Sequence, residues 1–209
     1  MDTWEMVDNE RTALADLADS MTPAQWDTQS LCGAWKVRDV VAHLNEGATL
    51  TTGKAIGMLV KYGFRMNTML QREAIKGGSK PTADLAKGAR AAIGARKKPP
   101  GTKDADLVME TIIHEQDIRR AIGVARAYPA DEMRASLDRI SAMGNSLLPG
   151  KKRGADLHLK ATDLEWECGD GAEVSGPSEA ILMAMAGRSA ALADLSGPGV
   201  DTLRRRIGG

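Results

Sequence analysis

The sequence predicts an all-helical N-terminal domain, residues 1–150, followed by a small α+β module, residues 151–209. Three observations carry this expectation. Before residue 150, long segments place apolar residues at helical spacing and are separated by Pro and Gly breakers. The stretch Asp156–Thr162 instead alternates apolar and polar residues, as a half-buried strand does. Between the two textures stands Pro149-Gly150-Lys151-Lys152, a break in both patterns.

Taken in order, Asp2–Ser20 reads as a first helix with Trp4, Leu14 and Leu17 as core contacts. Thr22 then Pro23 is a cap and first-turn pair for a short helix to Thr28. Ser30–Trp35 is a loop hinged at Gly33, and Lys36 to about Thr52 is a second long helix. Its apolar stripe is Val37, Val40, Val41, Leu44 and Ala48, with His43 beside it. A long connection follows from Gly53 to Thr82, with an apolar segment (Met58–Leu70) expected as an irregular or short helix. Thr82–Arg96 is an Ala-rich helix, closed by the breaker Lys97–Gly101. Asp104–Gly123 is the next helix, and Pro129-Ala130-Asp131 opens another to about Leu148. Beyond the boundary, short strands are expected at Asp156–Thr162, Leu164–Glu167 and Ala172–Val174. Helices from Pro177 to Met185 and from Asp201 to Ile207 end the chain.

Composition narrows the function classes. The 28 Lys and Arg balance 28 Asp and Glu, and aromatics are 3%, so neither an electrostatic footprint for nucleic acid nor a base-stacking platform is present. Two widely separated cysteines, Cys32 and Cys168, make no disulfide framework. The acidic N-terminus lacks the apolar core of a signal peptide, and no apolar run is long enough to span a bilayer. The expectation is a cytoplasmic protein whose partners are neither nucleic acid nor membrane.

Asp104–Gly123 carries an oddity. Leu107, Glu110, Thr111, His114, Ile118 and Ala121 fall near one face, which should point into a core. Burying a carboxylate and an imidazole unpaired costs several kcal/mol, so their presence needs a reason, and a metal ion is one. Of the three histidines, His43 lies on another long helix near its inward face and is the candidate third ligand; His158 sits on the polar side of a strand. Two imidazoles and one carboxylate suit a catalytic zinc site with an open position, although iron, nickel and manganese accept the same donors. Asp117 has three candidate roles: replacing Glu110 as a ligand, orienting an imidazole, or contacting substrate. The plain alternative is a pair of ordinary core histidines. Trp26 and Trp35 read as packing anchors, with Trp35 also a candidate pocket wall. Cys32 reads as a small buried residue, Arg96-Lys97-Lys98 as a solvated loop, and Arg119-Arg120 as solvent-facing by default, one of them also a candidate to steer an anionic substrate.

The stretch LCGAWKVRDVVAHL, with Cys32, Gly33, Trp35, Val37, Asp39 and His43-Leu44, resembles the opening signature of the mycothiol-dependent maleylpyruvate isomerase family of the DinB-like superfamily. ETIIHEQDIRRAIG matches a second block through Glu110, His114, Asp117 and Gly123. The C-terminal part matches through Thr162-Asp163, Trp166, Gly176 and Gly187-Arg188, while Gly53–Thr102 lies outside the resemblance. The resemblance implies an α-helical DinB-like four-helix bundle with a long crossover, followed by the α+β module. It implies a divalent metal, zinc foremost, held by His43, Glu110 and His114, and mycothiol as thiol cosubstrate. Many other DinB-like proteins use three histidines; Glu110 fits the isomerase branch. In that branch an arginine of the C-terminal module assists the reaction, which makes Arg188 the catalytic candidate. Asp117 and Trp35 are candidate contacts for the bound thiol. The implied chemistry is thiolate activation, either for cis–trans isomerisation or for S-transfer to a small electrophile, by a monomer or homodimer. Two other readings stand beside it: a non-catalytic metal-containing binding protein whose C-terminal module takes a small ligand or regulatory partner, and a metal-free structural bundle.

Overall fold

The apolar stripes of the first half fold into helices that pack on one another. α1 spans Thr3–Ser20 and opens with a capping box between Asp2 and Glu5. α2 spans Pro23–Trp26, capped by the Thr22 hydroxyl, which accepts from the Gln25 amide at 3.3 Å. α3 spans Val37–Thr49, α4 Thr52–Lys61, α5 Met66–Gly78, α6 Thr82–Ala92 and α7 Asp104–Ile122. α1 and α3 each pack against both α6 and α7, which makes these four the bundle. Val37, Val40 and Val41 of α3 meet Leu14, Ala15, Leu85, Ala89 and Ile118 in its core. Gly123 ends α7 in the left-handed conformation that glycine adopts without a Cβ penalty. The computed structural model describes residues 2–145 and 147–208.

The largest departure from expectation lies between Gly53 and Thr82. That connection holds two helices rather than one irregular segment. α3 stops at Thr49, and the Thr51 hydroxyl caps α4 by accepting from the Lys54 amide. α5 packs tightly on α3 because its end is glycine: a Cβ at Gly78 would land on the Asp39 carboxylate, and one at Gly77 would stand 3.0 Å from the Ala42 Cβ. Asp39 in turn caps α3, accepting from the Lys36 amide at 2.9 Å, and burial pushes its carboxyl pKa up. The glycines at the end of α5 are therefore also a helix–helix contact surface.

The chain divides into two compact units, Met1–Arg126 and Ala127–Gly209. The change of texture near residue 150 falls inside the second unit, because α8 (Ala130–Ala142) packs with α9 (Gly150–Arg153) and α10 (Ser178–Met185). α8 is shorter than expected. The Asn145 side chain accepts from the Leu147 and Leu148 amides, an alternative to helical hydrogen bonds that turns the chain. Three strands follow: β1 (Leu157–Ala161), β2 (Glu167–Cys168) and β3 (Ala172–Gly176), ordered β2-β1-β3. β1 runs antiparallel to β2 and parallel to β3, with Leu159 opposite both Cys168 and Val174. Leu157, Leu159 and Ala161 are buried, as their alternation requires, and α10 covers them. A 3-10 helix (Ser189–Asp194) and α11 (Val200–Ile207) complete the unit. Among the described residues no helix is long and apolar enough to cross a membrane.

Candidate metal centre

Packing of α3 on α7 sets the site. His43 points from α3, while Glu110 and His114 point from successive turns of α7. His43 Nε2 lies 3.1 Å from Glu110 Oε1, and one donor atom from each of the three side chains lies within 4.8 Å of the others. Two donors that share a tetrahedral ion at ~2.0–2.1 Å stand about 3.3 Å apart, so the His43–Glu110 spacing already suits a common ion. His114 Nδ1 meets Asp117 Oδ2 at 3.0 Å, and Asp117 is fully buried. With Nδ1–H donated to that carboxylate, the free lone pair of His114 is on Nε2, the tautomer a metal-binding imidazole needs.

Electrostatics keep Glu110 in its acceptor form. Burial pushes its carboxyl pKa up, but the hydrogen bond with His43 and the charges of His43 and His114 outweigh burial and hold it below the usual carboxylate range. Its side chain remains 35% exposed, so the cluster is reachable from solvent. The opening is a cleft of about 450 Å³, counting the space open to solvent, lined by Arg11, Leu14, His43, Ala48, Leu107 and Glu110 among others.

The loop before α3 also borders the cluster. Ser30 Oγ donates to the Trp35 carbonyl at 2.7 Å, and the Leu31 amide donates to the Asp117 carbonyl at 3.1 Å. The loop is thereby tied to the turn of α7 that carries Asp117. It places the buried Trp35 ring 4.8 Å from the His43 ring and 5.7 Å from the His114 ring. Cys32 in the same loop is half-buried rather than buried, and forms a second close group with His114 and Asp117.

Sequence reasoning missed a second polar cluster on α7. The helix is buried nearly all round, not along one stripe. Glu115 is fully buried and accepts from Arg119 Nε at 2.7 Å. Arg126 also reaches Glu115, and it grips Glu10 of α1 through both terminal nitrogens at 2.7 Å. The expectation of a solvent-facing Arg119 is therefore wrong: the guanidinium is buried because a buried carboxylate one turn earlier takes it. The available signal was the i, i+4 spacing of Glu115 and Arg119, which on most helices marks an exposed pair. The Arg96–Lys98 run is the exposed loop expected, with ion pairs at the surface. Arg96 pairs with Asp8 at 2.7 Å, and Lys98 bridges to Asp104.

Arg188 belongs to the second unit and opens its 3-10 helix, where Nη1 donates to the Ala186 carbonyl at 2.9 Å. Its neighbour Arg153 donates to the Met185 carbonyl at 2.9 Å; burial, and then the charge of Arg188, hold Arg153 below its ordinary pKa.

A family profile described as the mycothiol maleylpyruvate isomerase N-terminal domain matches residues 7–119, more than half of the chain. The chain belongs to this family. The span matched by the mycothiol maleylpyruvate isomerase profile runs from α1 into α7 and includes His43, Glu110, His114 and Asp117. No curated protein matches the chain. Two crystal structures of a mycothiol-dependent maleylpyruvate isomerase, one of them a histidine-to-alanine mutant, are similar in fold. Each shows a TM-score of 0.59 and 13% identity over 94% of this chain and 91% of theirs. The helical fold with a small C-terminal sheet is thus the DinB-like fold of that enzyme.

Proposed function

We propose that the protein is a divalent-metal, mycothiol-dependent enzyme that activates a thiolate for isomerisation of, or S-transfer to, a small electrophile. The observation that carries this reading is the convergence of His43, Glu110 and His114 donors within 4.8 Å of one another beside an open cleft. Family membership supports the thiol as cosubstrate. In this reading the three side chains hold the ion, with zinc the expected metal. A metal bound there lowers the pKa of a thiol and keeps it as thiolate at neutral pH.

The remaining roles belong to the protein's own groups. Asp117 holds the His114 proton on Nδ1 and so keeps Nε2 directed at the ion. Trp35 walls the site beside both imidazoles and is assigned a contact with the bound thiol. Arg188 is assigned the cationic role toward the electrophile, on the family resemblance of Gly187-Arg188. In this reading the first unit, Met1–Arg126, is the metal-binding bundle, the module expected at residues 151–209 is part of the second unit, Ala127–Gly209, and the protein works in the cytoplasm.

The test is optical. Cobalt-substituted protein titrated with mycothiol is expected to develop a sulfur-to-metal charge-transfer band, and His43→Ala is expected to lose both metal and band. Absence of the band in cobalt-loaded protein would overturn the thiol reading. Turnover is then sought with mycothiol and a panel of electrophiles that includes maleylpyruvate, and Arg188→Gln is expected to slow it without loss of metal.

A further inference from the structure

α4 is built unlike the other helices of its unit. A helix apolar round most of its circumference is normally buried, yet α4 buries only Ala55. Ile56 and Val60, one turn apart, face away from Ala55 and are 55% and 59% exposed. Just past the helix end stands Phe64, the chain's single phenylalanine, which is 75% exposed. Phe64 adopts φ +60, a left-handed conformation that a bulky residue takes only against strain. Five of the seven large apolar side chains exposed among the described residues lie between Ile56 and Ile75.

Charge concentrates at the same place. The whole chain is neutral, but residues 53–80 carry six Lys and Arg (Lys54, Lys61, Arg65, Arg72, Lys76, Lys80) against the lone Glu73, a net +5. The cations at 54, 61, 65, 72, 76 and 80 are all exposed, with Lys54 paired to Glu46 and Lys61 to Glu73, each at 2.8 Å. Exposed apolar side chains fringed by Lys and Arg suit the boundary between lipid headgroups and acyl chains, where both terms act together. A second copy pressed on the same patch would set net +5 against net +5. Nucleic acid would satisfy the charge but leave Ile56, Val60 and Phe64 without a partner.

We propose that α4 and the turn to Phe64 dock the protein on an anionic lipid surface, with Ile56, Val60 and Phe64 inserted at the headgroup boundary and the basic residues of 53–80 against the headgroups. The expectation of no membrane partner weighed only segments long enough to span a bilayer, whereas this surface is made by three side chains on ten residues and a turn. The docking is independent of the metal site.

The whole chain, mixed with vesicles of phosphatidylglycerol and phosphatidylcholine and floated, is expected to rise with them and to be released by added salt. It should bind pure phosphatidylcholine about tenfold less, and Val60→Ser/Phe64→Ser should lose about tenfold in partitioning on anionic vesicles. Phe64→Gly, which puts glycine at a left-handed position, keeps the fold and is expected to show a similar direction of change. No flotation with anionic vesicles, or flotation unchanged in both variants, overturns the proposal. So does a dimer in sedimentation velocity that Val60→Ser/Phe64→Ser dissolves, because the surface is then taken by a second copy.

Discussion

Helix α7 carries two polar clusters that start from the same sequence device and end differently. Glu110 and His114 form one i, i+4 pair, and Glu115 and Arg119 form another, five residues further on. The second pair is closed. Glu10, Glu115, Arg119 and Arg126 match two carboxylates with two guanidiniums, and both carboxylates are fully buried. The first pair is open: one carboxylate faces two imidazoles at the edge of a cleft, with room in its donor geometry for a cation. A buried charge is tolerated when its partners are complete, and an incomplete set beside solvent is a place for something to bind.

The sharpest way to break this contrast is to remove a carboxylate from each cluster. Glu115→Ala strands Arg119, takes from Arg126 one of its two carboxylates, and is expected to cost ~3–5 kcal/mol in urea unfolding at pH 7. Glu110→Ala, at a side chain one-third exposed, should cost well under half of that; equal costs would erase the distinction. Metal addition tests the open cluster alone. Zinc at 100 times its Kd should raise unfolding free energy by about 2.7 kcal/mol, an effect that His43→Ala abolishes and that a charge-preserving change in the closed cluster, Arg119→Lys, leaves in place.

Smaller effects probe the helices around the bundle. Gly78→Ala drives a methyl into Asp39 and is expected to cost ~1–3 kcal/mol by thermal melting, with Gly57→Ala on exposed α4 as a control that does not. The smallest concerns Glu73, which accepts from Lys61 Nζ at 2.8 Å and Tyr62 Oη at 2.7 Å and so ties α4 to α5. Hydrogen bonds from Lys61, then Tyr62, hold its pKa below the ordinary 4.5. A depressed folded pKa means that the stabilisation is present above the unfolded value and disappears as pH falls through the folded one. Glu73→Gln is therefore expected to lose up to ~1 kcal/mol at pH 7 and to match the parent at pH 3, measured by urea midpoints.

Much of this architecture was legible because periodicity reports burial. The stripe of α3, the strand alternation of Leu157–Ala161 and the breaker before α7 each dictate a local structure that packing then keeps. The convergence of His43 on Glu110 was legible only in part, since helical spacing places Glu110 beside His114 but does not say which helix faces them. What sequence could not separate is an E-x-x-x-H pair from an E-x-x-x-R pair one turn along, because their difference is made by Glu10 and Arg126, distant in the chain. The contact that the glycines at 77–78 make with α3 was illegible for a related reason. The same residue that breaks a helix in isolation permits close approach when a neighbour is present, and the neighbour is not local.

Trp35 gives the bundle an optical property. Its indole, within 6 Å of both imidazoles, is a fluorophore at contact range from the centre of the cluster. A paramagnetic ion that settles there will quench it, while Trp166, held by Asp138 in the second unit, emits against a different environment. The protein thus comes with its own gauge of occupancy, readable without a label.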